Sequence, residues 1–293
     1  MADKRAGSVK MTFKHIISDI ESLPPLSNTP FVIQQIYSCG SQNIDIIRLV
    51  RVIEDDAALA ANILKMINAP IYGFSRKIAS ISQAVTLFGT DEIYGLVLKY
   101  ALDKELKTDT DIYGVDNKRF NDVCQLQSTL MMQWYSRVDL RHAQFMSPLA
   151  LIMETGKLVL ANEVLKSHYA KKFEIGYKNA KSVIEYEYSV LGTTTYYLSA
   201  LLFEHWMLEP LYVEILKGLD FETAANPKVK SYIDSLDVIR TAVNPRNILT
   251  KESIKEACVI VEEMGLDTND FEHIASRVKE KYNQVLINRM RKK

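Results

Sequence analysis

The chain has few cysteines, no excess charge of either sign and no long apolar run. Cys39, Cys124 and Cys258 are odd in number, lie far apart and form no Cys-x-x-Cys pair. This excludes a zinc knuckle and a dithiol redox motif, and fits small buried hydrophobes in a reducing compartment. Lysine plus arginine balance aspartate plus glutamate at 36 each, so global electrostatics give no reason to expect a nucleic acid or a membrane surface. No segment approaches the ~18 apolar residues of a membrane span. The opening MADKRAGSVKMTFKH has no apolar core of signal-peptide length. A cytoplasmic protein is expected. There is no internal repeat or low-complexity tract. Gly-x4-Gly-Lys-Ser/Thr, Gly-x-Gly-x-x-Gly and Gly-x-Ser-x-Gly are all absent, so phosphate loops and a serine nucleophile elbow have no support. The histidines, His15, His142, His168, His205 and His273, are too dispersed to form a His-x3-His metal pair on one helix.

The 293 residues are 47% hydrophobic and 25% charged, which is ordinary for a globular protein. They allow one large domain or two of roughly 100–200 residues. Apolar residues recur at helical spacing almost throughout. Phe13, Ile16, Ile17 and Ile20 share one helix face, and Pro24-Pro25 ends that helix. Thr29-Pro30 reads as the cap and first turn of the next, carrying Ile33, Ile36 and Tyr37 and closed by Cys39-Gly40-Ser41. Asn43 is expected to cap a helix with Ile46, Ile47, Val50 and Ile53 on one face. Asp55-Asp56 opens another, which Asn68-Ala69-Pro70 ends. Ser80 or Ser82 and then Thr90-Asp91 open two more. Residues 103–116 are polar and read as a connector. Beyond it, helices are expected over 117–137, from Ser147-Pro148 through Lys166, and over 179–191, 194–206, 210–217, 227–242, 250–264 and 270–291. No alternating run argues for a strand, so the expected class is all-α.

The front stretch from Leu23 to Leu102 carries its turns at Pro24-Pro25, Asn68-Ala69-Pro70, Tyr72-Gly73 and Phe88-Gly89. In this order of helices and breaks it resembles the HDOD family, the HD-related output domains of bacterial signalling proteins. The resemblance covers about residues 15–220 and implies two helical subdomains, 15–102 and 117–220, the second related to the HD phosphohydrolases. It leaves residues 1–14 as an N-terminal segment and 221–293 as a C-terminal helical extension. In the phosphohydrolases a histidine, a His-Asp pair and a further aspartate hold a metal ion that activates water against phosphate. Here Gln127 stands at the first histidine and Met153-Glu154 at the His-Asp pair, with Gly156-Lys157-Leu158 retained. Glu187, Leu191-Gly192 and Trp206 match the following segment, with Thr195 where its histidine would be. A further His-His pair falls near Gly218-Leu219. Of the positions where the metal-holding residues would stand, Gln127, Met153, Glu154 and Thr195, only Glu154 is a carboxylate, a poor donor set for a transition metal. Gln127, Met153, Glu154, Lys157 and Thr195 are therefore expected to form a vestigial pocket with no metal and no cofactor.

Asn68, Tyr72 and Gly73 match a family turn and are candidates for a partner or ligand loop, with a structural turn the simpler account of them. The terminal RVKEKYNQVLINRMRKK has seven basic residues against one glutamate. Its stripe of Val278, Tyr282, Val285, Leu286 and Met290 favours a helix packed against the protein with its charges in water over a nucleic-acid contact. Fifteen tyrosines suit a binding protein. The resemblance implies a non-catalytic regulatory module in bacterial signal transduction, acting by protein contact or small-ligand sensing. Its partner would be a separate signalling protein, in circuits often linked to cyclic-dinucleotide turnover. The alternatives are a residual phosphohydrolase built on Glu154 and nucleic-acid binding by the C-terminal helix.

Overall fold

The structure is a computed structural model. It describes residues 13–291 except 39–43, 73, 75, 168 and 221–225. Among the described residues all regular structure is helical apart from a single isolated bridge between Val243 and Ile248. The all-α expectation is met. Helix α1 covers residues 13–21. Then come α2 (Asn28–Ser38), α3 (Ile46–Asp55), α4 (Ala57–Ile67), α5 (Ile81–Glu105), α6 (Asn117–Tyr135), α7 (Leu140–Ile152) and α8 (Thr155–Lys166). The chain continues through α9 (Ala170–Asn179), α10 (Val183–Leu191), α11 (Thr195–His205), α12 (Pro210–Gly218), α13 (Pro227–Ala242), α14 (Lys251–Glu263) and α15 (Thr268–Met290).

Side-chain caps set most helix starts, each satisfying a backbone N–H that has no partner inside its helix. Asp45 accepts from Arg48 N at 3.0 Å, Asp56 from Leu59 N at 3.0 Å and Ser80 from Gln83 N at 3.1 Å. The cap of α3 is thus Asp45, while Asn43 lies outside the described residues. Helix α2 begins at Asn28, so Thr29 lies inside its first turn and is not the cap. The face of α3 also differs from expectation. Leu49 and Ile53 are buried, but Ile46 and Ile47 are exposed.

Helix α5 contains the expected break before Thr90. Gly89 has φ 80° and ψ 168°, a backbone that only glycine adopts without strain, and the axis bends there. Helix α5 packs against both α4 and α7, and so joins the two helical subdomains. The polar connector is shorter than its composition suggests: α5 runs on to Glu105, and residues 111–113 form one 3₁₀ turn.

Two later boundaries differ from those the sequence pattern predicts. Pro148 lies inside α7, and the next helix starts at Thr155. Proline normally breaks a helix interior, but here its ring sits against Gly95 of α5, where the two helices come closest. The helix expected over 179–191 is instead α10, with α9 before it. Helices α6 and α7 form a hairpin, α8 packs on α11, and α13 and α15 lie against α6. The C-terminal helix packs down through Phe271, Ile274, Val278, Tyr282 and Val285, although Met290 from the expected stripe is exposed. Arg289 pairs with the buried Asp122 of α6, which also accepts from the Tyr282 hydroxyl at 3.2 Å. No helix among the described residues is long and apolar enough to cross a membrane.

Candidate functional site

The residues singled out in the second subdomain come together in one buried polar cluster. Gln127 projects from α6, Glu154 from the turn between α7 and α8, and Lys157 from the first turn of α8. Thr195 opens α11, and Glu187 comes from α10. All five are buried, Gln127, Glu154 and Thr195 completely. Gln127 Nε2 donates to Glu154 Oε1 and to the Val243 carbonyl, each at 2.9 Å. The Tyr196 hydroxyl donates to the same carboxylate oxygen at 3.1 Å. Glu154 Oε2 receives no aligned hydrogen bond, but the Lys157 ammonium lies 2.8 Å away as an ion pair. Lys157 Nζ also donates to Thr195 Oγ1 at 3.2 Å. The Thr195 hydroxyl and amide both donate to Glu187, each at 2.8 Å.

The electrostatics follow from this geometry. Burial alone would lower the pKa of Lys157, but Glu154 and Glu187 outweigh it and hold the ammonium well above the ordinary lysine value. Burial raises the Glu187 carboxyl, against the opposing pull of Lys157 and the two bonds from Thr195. The Lys157 ammonium also lies 5.3 Å from the centre of the Tyr196 ring and 5.7 Å from that of Tyr113, close enough for cation–π attraction.

Gly156 allows this assembly. A Cβ there would collide with the Thr195 carbonyl oxygen, and the Gly156 N–H donates to Ser199 Oγ at 2.8 Å. Ser199 Oγ in turn donates to the Met153 carbonyl at 2.7 Å. The Gly-Lys pair is therefore the crossing point of α8 and α11: the glycine admits the backbone of α11, and the lysine supplies the charge beneath it. Met153 is fully buried in the apolar core.

Several members of the cluster were missed from sequence. Tyr196 and Tyr113 carried no motif. More telling are Val243 and Arg240, which come from the C-terminal extension. Arg240 covers the Tyr196 ring at 4.9 Å and pairs with Asp220 at 3.1 Å and Asp237 at 2.6 Å. Asp220 also accepts from the Thr194 hydroxyl. The extension thus closes the cluster from outside. The one available signal was Arg240 within the apolar face of α13, three residues after Asp237.

The other candidates are arranged differently. Asn68 Nδ2 donates to the carbonyls of Leu64 and Ile78 at 2.7 and 2.8 Å, and its Oδ1 accepts from Ile78 N at 2.8 Å. The side chain ties the end of α4 to the segment before α5. Tyr72 presents its edge to Phe88, with ring centres 5.3 Å apart. Gly73 lies outside the described residues. A second buried carboxylate, Glu92, accepts from Ser128 at 2.9 Å and Ser147 at 2.7 Å. Burial pushes the Cys124 thiol up to about 12, as for an unreactive core cysteine. One group of three metal-donor side chains occurs among the described residues: His15, Asp19 and Glu163, within 4.8 Å of one another between α1 and α8. Lys166 already pairs with its Asp19 at 3.1 Å.

A family model of the HDOD domain matches residues 23–218. Among solved structures, an HDOD domain protein of unknown function from Geobacter sulfurreducens superposes with TM-score 0.67 at 14% identity, covering 96% of each chain. A provisionally assigned signal transduction protein from Marinobacter aquaeolei gives 0.70 at 21% identity, over 96% of this chain and 65% of that one. A provisionally assigned phosphohydrolase from Shewanella amazonensis gives 0.68 at 16% identity, over 92% of this chain and 95% of the other. At such identities the likeness establishes a shared fold. No curated protein matches the chain.

Proposed function

The chain belongs to the HDOD family, and we propose that it is a non-catalytic signal transduction module whose second subdomain has exchanged a metal site for an internal ion-pair network. The observation that carries this reading is the position of the Lys157 ammonium. It lies 2.8 Å from Glu154 Oε2 and bonds Thr195, so a positive side-chain charge already compensates the buried carboxylates. A divalent ion needs several free oxygen or nitrogen donors, and the residues present do not fit one. Gln127 spends its amide nitrogen on Glu154 and Val243, Thr195 is tied to Glu187, and Met153 lies in the apolar core. No water-activating step is derived for this cluster.

The module would act by changing shape or contacts. Its two subdomains meet along α5 and α7, and a ligand or partner that favours one arrangement of them would shift the population. The Marinobacter protein's provisional assignment to signal transduction is in keeping with such a role. The test is metal analysis of the purified protein together with a phosphodiesterase and phosphomonoesterase panel. Sub-stoichiometric metal and no turnover are expected. Stoichiometric metal with turnover lost in Glu154→Ala would overturn the reading and favour a residual phosphohydrolase.

A further inference from the structure

A cavity of about 790 Å³ lies apart from the Glu154 cluster, between the two subdomains. This is within the range of sites that enclose small molecules. Its front wall is α2 and the bend of α5; its back wall is α7 and the turn from α11 into α12. Much of the lining is aromatic. Tyr37 and Tyr94 stack at 4.2 Å, and Phe145 and Tyr212 tilt together at 5.0 Å. Gln34 spans the cleft by donating to the carbonyls of Trp206 and Met207. Met207 itself sits at φ 52°, a backbone that costs a non-glycine residue some strain.

The charges of this cleft are unbalanced. Asp91 and Glu209 line it, and neither has an ion pair or hydrogen bond to its carboxylate among the described residues. Both face the same region: burial raises the Tyr212 phenol well above its ordinary value, and Tyr94, Asp91 and Glu209 add to the effect. Glu92 lies on the wall with its oxygens held by Ser128 and Ser147. The one cationic lining residue is Arg141, which is exposed and pairs with neither carboxylate. Glu209 is exposed at the rim, but Asp91 is half-buried, and a half-buried carboxylate without a counter-charge is costly; aromatic faces attract cations. The same surroundings repel phosphates and carboxylates.

We propose that this cleft binds a small organic cation, a guanidinium or alkylammonium compound. Its charge lies toward Asp91 and Glu209, and its apolar part lies on the rings of Tyr37, Tyr94 and Phe145. The inference rests on the ligand-sensing form of the function proposed above and gives that ligand a chemical class. Because the walls belong to different subdomains, occupancy would couple their relative positions.

The test is calorimetric titration of the full chain with agmatine and spermidine, with pentylurea as neutral control, glutamate as anionic control and a short peptide bearing one arginine. Agmatine or spermidine is expected to bind saturably, and the controls are not. The near-isosteric pair Asp91→Asn with Glu209→Gln, checked for an unchanged melting temperature, should weaken binding about tenfold or more, the loss of at least one good charge contact. Arg141→Gln, which removes the one opposing charge, should tighten it. No saturable heat from either cation, equal binding of pentylurea, or indifference to the double variant would overturn the proposal. Tighter binding by the peptide than by both free cations would overturn the small-molecule assignment. Turnover that depends on Glu154 would sink the non-catalytic reading and leave this cleft as it is, whereas absence of cation binding would do the reverse.

Discussion

The two halves of the molecule are held together by different means. Among the described residues before Glu92, every fully buried side chain is apolar. Ile16, Ile33, Leu49, Ile53, Leu59, Ile63 and Ile67 form the centre of the first subdomain. From Glu92 onward the core also takes in Gln127, Glu154, Lys157, Glu187 and Thr195. The first half is stabilised chiefly by apolar burial, with no charged side chain buried before Glu92 among the described residues. The second carries buried charges that are tolerable only while each keeps its partners. An apolar core degrades by increments when trimmed, whereas a charge network fails when one member is removed.

The largest effect should therefore come from breaking that network on one side. Lys157→Met leaves Glu154 and Glu187 buried without their cation and should cost about 3–5 kcal/mol by urea unfolding. Adding Glu154→Gln to that variant should recover much of the loss, since Gln127 and Tyr196 can still donate to the amide oxygen. A double variant no more stable than the single one would mean that the pair is not the unit described. Next is Gly156→Ala, whose methyl would collide with the backbone of α11. About 3 kcal/mol of destabilisation is expected, read as a lower melting temperature.

In the first half, Asn68→Ala removes three hydrogen bonds to Leu64 and Ile78. It should cost about 2 kcal/mol, since a lost bond costs most where its partner stays buried. Asp45→Ala deletes only the cap of α3 and should cost about 1 kcal/mol, measurable by the same unfolding curve. If Asn68→Ala proved as damaging as Lys157→Met, the contrast between the halves would fail.

The mildest effect is a slope against pH. His142 stacks on Tyr135 at 3.9 Å with its Nε2 2.8 Å from Ser235 Oγ, and burial lowers its pKa from 6.5 to about 4. The unfolded chain takes up a proton below pH 6.5 that the folded chain refuses until about pH 4. Stability from this residue is present above that window and is lost as pH falls through it. Glu92 and Glu187, with carboxyls raised above 4.5 by burial, contribute the opposite slope as pH rises through their titrations. The difference between wild type and His142→Phe isolates the histidine. Wild type should lose more stability than the variant between pH 6.5 and 4, and parallel curves would refute the assignment.

The same contrast explains what could be read from the chain. The first half follows helical periodicity and turn chemistry, so Asp56, Asn68, Ser80 and the break before Thr90 could be placed in advance. The errors there were local: Thr29 fell inside a helix rather than at its cap, and Ile46 and Ile47 faced water. In the second half, resemblance located Gln127, Glu154, Lys157 and Thr195, whose side chains converge, and Met153, whose side chain lies instead in the apolar core. Spacing could not show that Arg240 and Val243 close the cluster from more than 80 residues beyond Glu154. Nor could it show that Pro148 sits within a helix, facing Gly95 of α5. Long-range polar contacts have no period, and their partners are set by the fold.

The most direct test of the central claim, that a lysine and not a metal balances the buried carboxylates, is a Mn²⁺ titration of the full chain at pH 7 followed by electron paramagnetic resonance of the free ion. The Lys157 network predicts no saturable binding that depends on Glu154. Stoichiometric uptake by the wild-type protein, abolished by Glu154→Gln, would contradict it.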